Sequence, residues 1–309
     1  YAYLLKMNRR NFLKTLACAI GLTNLECSMI SPSNFPQNSK RIEKLLLLGI
    51  DGLRPDALIK AQTPNLDSLV KNGAYSYKAQ AEYPTWSGHG WSDILTGVTS
   101  RKHGVRDNTF VGSNYEEYPD FLTRLESLTT KFNTASLVSW TPINEKIIQT
   151  ADKKIYYPYF KNGDELVMEE AVKILDLENP DALFVYFADV DVIGHRYGFH
   201  PDISKYLAQI EIVDMQVGKV LEALKSRTTY NNENWLVMAT TDHGGTRAGH
   251  GGNKPKETTV FYIANGLDVV PGEIVPAPRH VDIVPTIFKH LKVPIDSSWK
   301  LDGKPIALR

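Results

Sequence analysis

Thiols are almost missing from this chain. Its 309 residues include two cysteines, Cys18 and Cys27, so everything beyond position 30 has no disulfide framework, no catalytic thiolate and no sulfur-ligated metal. A metal held there must be held by oxygen and nitrogen. Net charge is missing too: 35 basic residues cancel 35 acidic ones. That removes the electrostatic grounds for a nucleic-acid-binding patch or a membrane-surface partner, and makes any phosphate affinity a local property. Long apolar runs are also lacking. The modestly apolar stretch from Thr15 to Leu25 falls short of the roughly 20 residues needed to span a bilayer. What is present, 42% hydrophobic and 23% charged residues, suits one large soluble α/β domain.

The amino end reads as a transport signal. Arg9 and Arg10 follow Met7 and precede Phe12, Leu13, Lys14 and the weakly apolar stretch, an order that resembles a bacterial twin-arginine signal. Residues 1–30 are therefore expected to be signal-like, with Met7 as the natural start, and the Pro/Ser/Asn-rich run 31–40 to be a linker. Cys27 is a candidate lipid-attachment site, although Asn24, Leu25 and Glu26 before it depart from the small residues such a site uses. The expected location is outside the cytoplasm, periplasmic or anchored to the envelope.

From Lys44 onward, buried-strand runs alternate with helical patterns, the signature of a three-layer αβα domain around a mostly parallel sheet, here spanning 41–309. Strands are predicted at 45–50, 134–138, 182–188, 234–240 and 259–263. Helices are predicted at 64–71, 164–177, 204–227 and 281–291. The clearest is 204–227, where Tyr206, Ile210, Val213, Val217, Leu221 and Leu224 recur at three- and four-residue steps and mark a core-facing stripe.

In such sheets ligands gather beyond the carboxyl ends of the strands. Asp51 follows the first predicted strand, Asp191 the third, and Asp242 with His243 the fourth. His195 stands four residues after Asp191, a spacing that lets one helical or turn-like segment aim both at one ion. His250 sits in the glycine-lined run RAGHGGN, which can bring it close to a metal. Ser87 heads PTWSGHGWSDILTG, read as a loop entering a helix whose first turns are Gly90 to Leu95, where free backbone N–H groups suit a phosphoryl oxygen. Thr85 is its competitor, and a plain helix cap is the other reading of Ser87. His89, His103, His200, His280 and His290 have no such company and read as structural or peripheral. Six metal-binding side chains and one hydroxyl imply ester hydrolysis at phosphorus with two divalent cations.

GIDGLRPDAL, YPTWSGHGWSDILTG, HGVRDN, DVDVIGHRYG, TTDHGG and GHGGN, in this order over residues 44–292, resemble the alkaline phosphatase superfamily, and within it the nucleotide pyrophosphatase/phosphodiesterase branch. The resemblance implies two zinc ions, other divalent cations being acceptable. Asp191, His195 and His250 would bind one, and Asp51, Asp242, His243 and the oxygen of Ser87 the other. It implies a phosphoserine intermediate and gives Asn108 the part of an amide that holds a phosphoryl oxygen. The partner would be a small-molecule phosphate ester.

GHGW stands where the nucleotide-cleaving enzymes carry Phe-Pro-Asn-His, so an aromatic clamp for a base is not implied. The sulfatase motif Cys-x-Pro-Ser-Arg has no counterpart, and the gap from Ser87 to Asp191 leaves little room for the inserted domain of cofactor-independent phosphoglycerate mutases. Two alternatives stay open. One is a phosphomonoesterase of the same superfamily, which would need a third metal or an arginine near the phosphate, with Arg106 and Arg247 the candidates. The other is an exported metal-binding protein without catalysis.

Overall fold

Leu45 to Ile50 form the middle of the sheet, with every side chain from Leu45 to Leu48 fully buried. They belong to strand β1, Ile42–Ile50. Period-two alternation sends Leu45 and Leu47 into one apolar core and Leu46, Leu48 and Ile50 into another, so β1 is covered on both faces. A fully buried leucine is worth about 1.5–3 kcal/mol of transfer free energy, which fixes the register of this strand firmly.

The computed structural model describes residues 41–309, which fold as one compact unit. The signal-like segment 1–30, Cys27 and the linker 31–40 lie outside the described residues.

Seven further strands join β1: β2 Ala74–Gln80, β3 Thr134–Val138, β4 Lys153–Tyr156, β5 Ala182–Phe187, β6 Glu233–Thr240, β7 Thr259–Asn265 and β8 Gly272–Glu273. The sheet order is β4-β3-β5-β1-β6-β7-β2-β8, and β7 alone runs against its neighbours β6 and β2. The helices 55–60, 64–71, 163–177 and 204–226 cover one face; 87–96, 121–126 and 283–290 cover the other. The expected three-layer αβα architecture is therefore present.

All five expected strands occur within three residues of their ends. β2, β4 and β8 were not expected, because they carry no apolar run: β4 is Lys-Lys-Ile-Tyr, half exposed at the sheet edge, and β8 has two exposed residues. No helix among the described residues is long and apolar enough to cross a membrane.

The topology has one consequence for chemistry. β5, β1 and β6 are adjacent and parallel. Their shared register pairs Gly49 with Tyr186 and with Thr240, so the residues that follow all three strands emerge at one level of one edge.

Candidate active site and metal centre

Asp51 leaves β1 into a turn that requires Gly52. Its φ is +65°, and a Cβ there would sit 2.7 Å from Asp191 Oδ1, so a side chain would strain the backbone and strike Asp191 at once. The close approach brings the ends of β1 and β5 together. Asp191 and His195 then lie on helix Asp189–Tyr197, one turn apart on the same face. Asp242 and His243 follow β6, and the Gly52 N–H donates to Asp242 Oδ1 at 3.2 Å.

Ser87 is the first residue of helix Ser87–Thr96, with Trp86 at the N-cap. This corrects the expectation that the helix opens at Gly90 with Ser87 in the preceding loop. Gly88 and Gly90 are poor helix formers, which hid the helix start in the sequence. Packing explains them: a Cβ on Gly90 would lie 2.9 Å from Asp242 Cβ, so the missing side chain lets the helix press against the Asp242 loop. Thr85 has another task. Its hydroxyl donates to Gly252 O at 2.8 Å and accepts from the Gly251 N–H at 2.9 Å, tying down the loop that bears His250.

The structure brings together Asp51, Ser87, Asn108, Asp191, His195, Asp242, His243 and His250, and leaves Arg106 and Arg247 outside the pocket wall. His243 Nε2 lies 3.1 Å from Ser87 Oγ, 3.1 Å from Asp242 Oδ2 and 3.5 Å from Asp51 Oδ1. His195 Nε2 lies 3.0 Å from His250 Nε2 and 3.4 Å from Asp191 Oδ2, and His250 Nε2 is 3.5 Å from Asp191 Oδ1. The two sets touch where the rings of His243 and His250 stack at 3.6 Å. Asn108 reaches the helix start, its Oδ1 accepting from the Gly88 N–H at 2.7 Å. Its amide N–H groups are thereby kept off that helix end.

The hydrogen bonds fix which atoms are free. His195, His243 and His250 each place Nδ1 against a backbone carbonyl, of Ala248 at 3.0 Å, Gly244 at 2.8 Å and Thr85 at 2.7 Å. A carbonyl only accepts, so each Nδ1 carries the proton and each Nε2 points a lone pair inward. This is how metal-binding imidazoles are held. Asp51 Oδ2 accepts from Trp91 Nε1 at 2.9 Å and from the Tyr186 hydroxyl. Its Oδ1, with Asp191 Oδ1 and Asp242 Oδ2, is buried without a partner.

Burial of this carboxylate cluster pushes Asp51 above the usual range, and pushes Asp191 and Asp242 well above it. Burial likewise holds His243 and His250 down to about 3, so both stay neutral at physiological pH. Orphaned carboxylate oxygens facing imidazole lone pairs are what a divalent cation would satisfy, and the oxygen and nitrogen donors suit zinc. The residues present therefore fit the expected metals.

Two other clusters do not. His89, Asp93 and His103 lie together, all fully buried. The Val105 N–H donates to His103 Nδ1 at 3.1 Å, so His103 Nε2 holds the proton it gives to Asp93 Oδ1 at 2.8 Å. His103 has no lone pair left for a metal. At Glu43, Asp268 and His290, the Lys292 ammonium already stands 4.0 and 3.8 Å from the two carboxylates. The expectation that His103 is structural agrees with its bonds.

Above these side chains is a pocket of about 290 Å³ whose wall includes Ser87, Asn108, Trp86, Trp140 and Tyr159. The sequence reading did not single out these aromatics. Trp86 packs edge-on to His250, ring centres 5.6 Å apart. Trp91, the tryptophan of GHGW, faces inward to Asp51 instead.

With this geometry in view, the family model for type I phosphodiesterase / nucleotide pyrophosphatase matches residues 45–260. The chain belongs to that family. A venom phosphodiesterase of Naja atra is 27% identical over 238 residues, which are 71% of this chain and 28% of the relative. A pyrophosphatase/phosphodiesterase of Schizosaccharomyces pombe is 26% identical, over 65% of this chain and 44% of the relative. The chain thus spans about a quarter to under half of the length of these relatives. Among solved structures, a murine ectonucleotide pyrophosphatase/phosphodiesterase 5 in complex with AMP is similar with a TM-score of 0.66 at 15% identity, covering 82% of this chain and 96% of the other. A 2-O GAG sulfatase gives 0.71 at 16%, covering 86% and 73%. At those identities the likeness is one of fold.

Proposed function

We propose that this family member is a zinc-dependent phosphodiesterase, with Ser87 as nucleophile and a phosphoserine intermediate. The observation that carries the reading is the convergence of three unpartnered carboxylate oxygens and three inward imidazole lone pairs around one serine hydroxyl. Asp191, His195 and His250 would hold one cation, and Asp51, Asp242, His243 and Ser87 the other. Divalent ions there would acidify the hydroxyl and neutralise charge on the phosphoryl group.

The chain's own residues supply the rest. With a cation held by His243 Nε2, which lies 3.1 Å from Ser87 Oγ, the acidified hydroxyl would lose its proton to water and present Oγ to the pocket. Oγ forms a bond to phosphorus as the bond to the leaving oxygen breaks in line, and the departing alkoxide takes a proton from water. Asn108, anchored through Oδ1 on Gly88, donates an amide N–H to a non-bridging oxygen. Water then cleaves the phosphoserine, releasing the second product and restoring Ser87.

The pocket wall favours a diester over a monoester. Among the described residues neither Arg106 nor Arg247 lines it, and no other arginine or lysine does, so none of them offsets the second charge of a monoester dianion. Trp86, Trp140 and Tyr159 suit an apolar or aromatic substituent on phosphorus instead. The test compares bis(p-nitrophenyl) phosphate with p-nitrophenyl phosphate on the zinc-loaded protein. The diester should have a kcat/KM about tenfold higher or more, a difference of about 1.4 kcal/mol in the barrier. A monoester preference would make the chain a phosphomonoesterase, and zinc uptake without turnover of either would leave only a metal-binding protein. We read the chain as exported on the strength of the twin-arginine-like start, with Cys27 as a candidate anchor.

A further inference from the structure

Helix Asp189–Tyr197, which carries Asp191 and His195, begins without a cap of its own. Its N-cap residue is Ala188, whose side chain accepts nothing, although the first N–H groups of a helix need acceptors. The acceptor comes from elsewhere in the chain. Asp164, near the start of helix Gly163–Leu177 and fully buried, accepts from the Asp189 N–H through Oδ2 and from the Ala188 N–H through Oδ1, both at 2.9 Å. Negative charge is also favoured at that end of a helix by its dipole.

The same Oδ1 accepts from the Ser139 hydroxyl. Ser139 follows β3 and precedes Trp140, and its carbonyl accepts from the Tyr159 N–H at 3.1 Å. One carboxylate therefore joins the helix that bears two metal-binding residues to the segment that carries two aromatics of the pocket wall.

We propose that Asp164 is a positioning residue that sets the metal-bearing helix and the aromatic wall relative to each other, so that cation binding and recognition of the organic substituent depend on one buried carboxylate. This rests on the proposed function for the identity of the cations. D164N keeps the size but turns an N–H donor toward other donors, and loss of such supporting bonds weakens metal binding by roughly 10- to 100-fold.

The test is zinc titration by calorimetry of the metal-free full chain, wild type against D164N, with circular dichroism to establish folding. One of the two zinc sites should weaken by about tenfold and the other should hold. A residue that served stability alone would lower the melting temperature and leave the zinc affinity of the folded protein unchanged. A folded D164N that fills both sites as wild type does would overturn the proposal.

S139A is measured beside it and decides the matter if D164N does not fold. It leaves Asp164 on the Ala188 and Asp189 N–H groups, takes from the helix start only the Ser139 Oγ acceptor 3.0 Å from the Ala188 N–H, and cuts the side-chain tie between Asp164 and the aromatic segment. The preference of the zinc-loaded protein for phenylphosphonate over methylphosphonate should drop by about threefold, with zinc affinity retained. An unchanged preference would overturn the link. If wild type itself takes up no zinc, the proposed function fails first and this inference falls with it; wild-type zinc uptake with unresponsive variants refutes this inference alone.

Discussion

Ser87→Ala is expected to abolish turnover of a diester while leaving both cations bound. Loss of an enzyme nucleophile typically costs on the order of 10⁵- to 10⁶-fold in kcat. The residue is buried, at 6% exposure, and the change removes one oxygen from a helix end that is otherwise intact, so the fold should be untouched. Steady-state kinetics and zinc content of the purified variant check this together. Near-normal rates would place the nucleophile elsewhere. Thr85 would be a poor replacement, because its hydroxyl is already committed to Gly252 and to the Gly251 N–H.

The second large effect is on stability. Asp51, Asp191 and Asp242 hold buried oxygens without partners, and burial drives all three carboxyls toward the neutral form, with carboxylate neighbours adding to it at Asp191 and Asp242. Removing the cations with a chelator should therefore destabilise the protein. A ligand at a hundredfold excess over its Kd contributes about 2.7 kcal/mol per site, so two sites give roughly 5 kcal/mol, or about 10–20 °C of melting temperature for a domain of this size. Scanning calorimetry with and without chelator measures it. The shift should survive in the Ser87→Ala variant, and equal melting temperatures would count against a resident metal pair.

Much of this site was legible because its residues sit directly after strands whose apolar runs leave no doubt. Asp51, Asp191, Asp242 and His243 could be placed on one edge once β1, β5 and β6 were recognised. Other features depended on contacts that no local pattern carries. The start of the Ser87 helix was obscured by Gly88 and Gly90, which weaken helix propensity and are explained by Asp242 lying against the helix. Asp164 looked like an ordinary acidic residue in the first turn of a helix, yet its partners are Ser139, Ala188 and Asp189, up to 25 residues away. Tyr159 follows the polar edge strand β4 and Trp140 follows β3 beside it, so their approach to the pocket could not be read from apolar periodicity.

Zinc-edge anomalous scattering from crystals of the zinc-loaded protein tests the central claim most directly. Two peaks are predicted, one within bonding distance of Asp191, His195 and His250, the other within bonding distance of Asp51, Asp242, His243 and Ser87 Oγ. Zinc bound only outside this pocket, or no zinc bound at all, would contradict it.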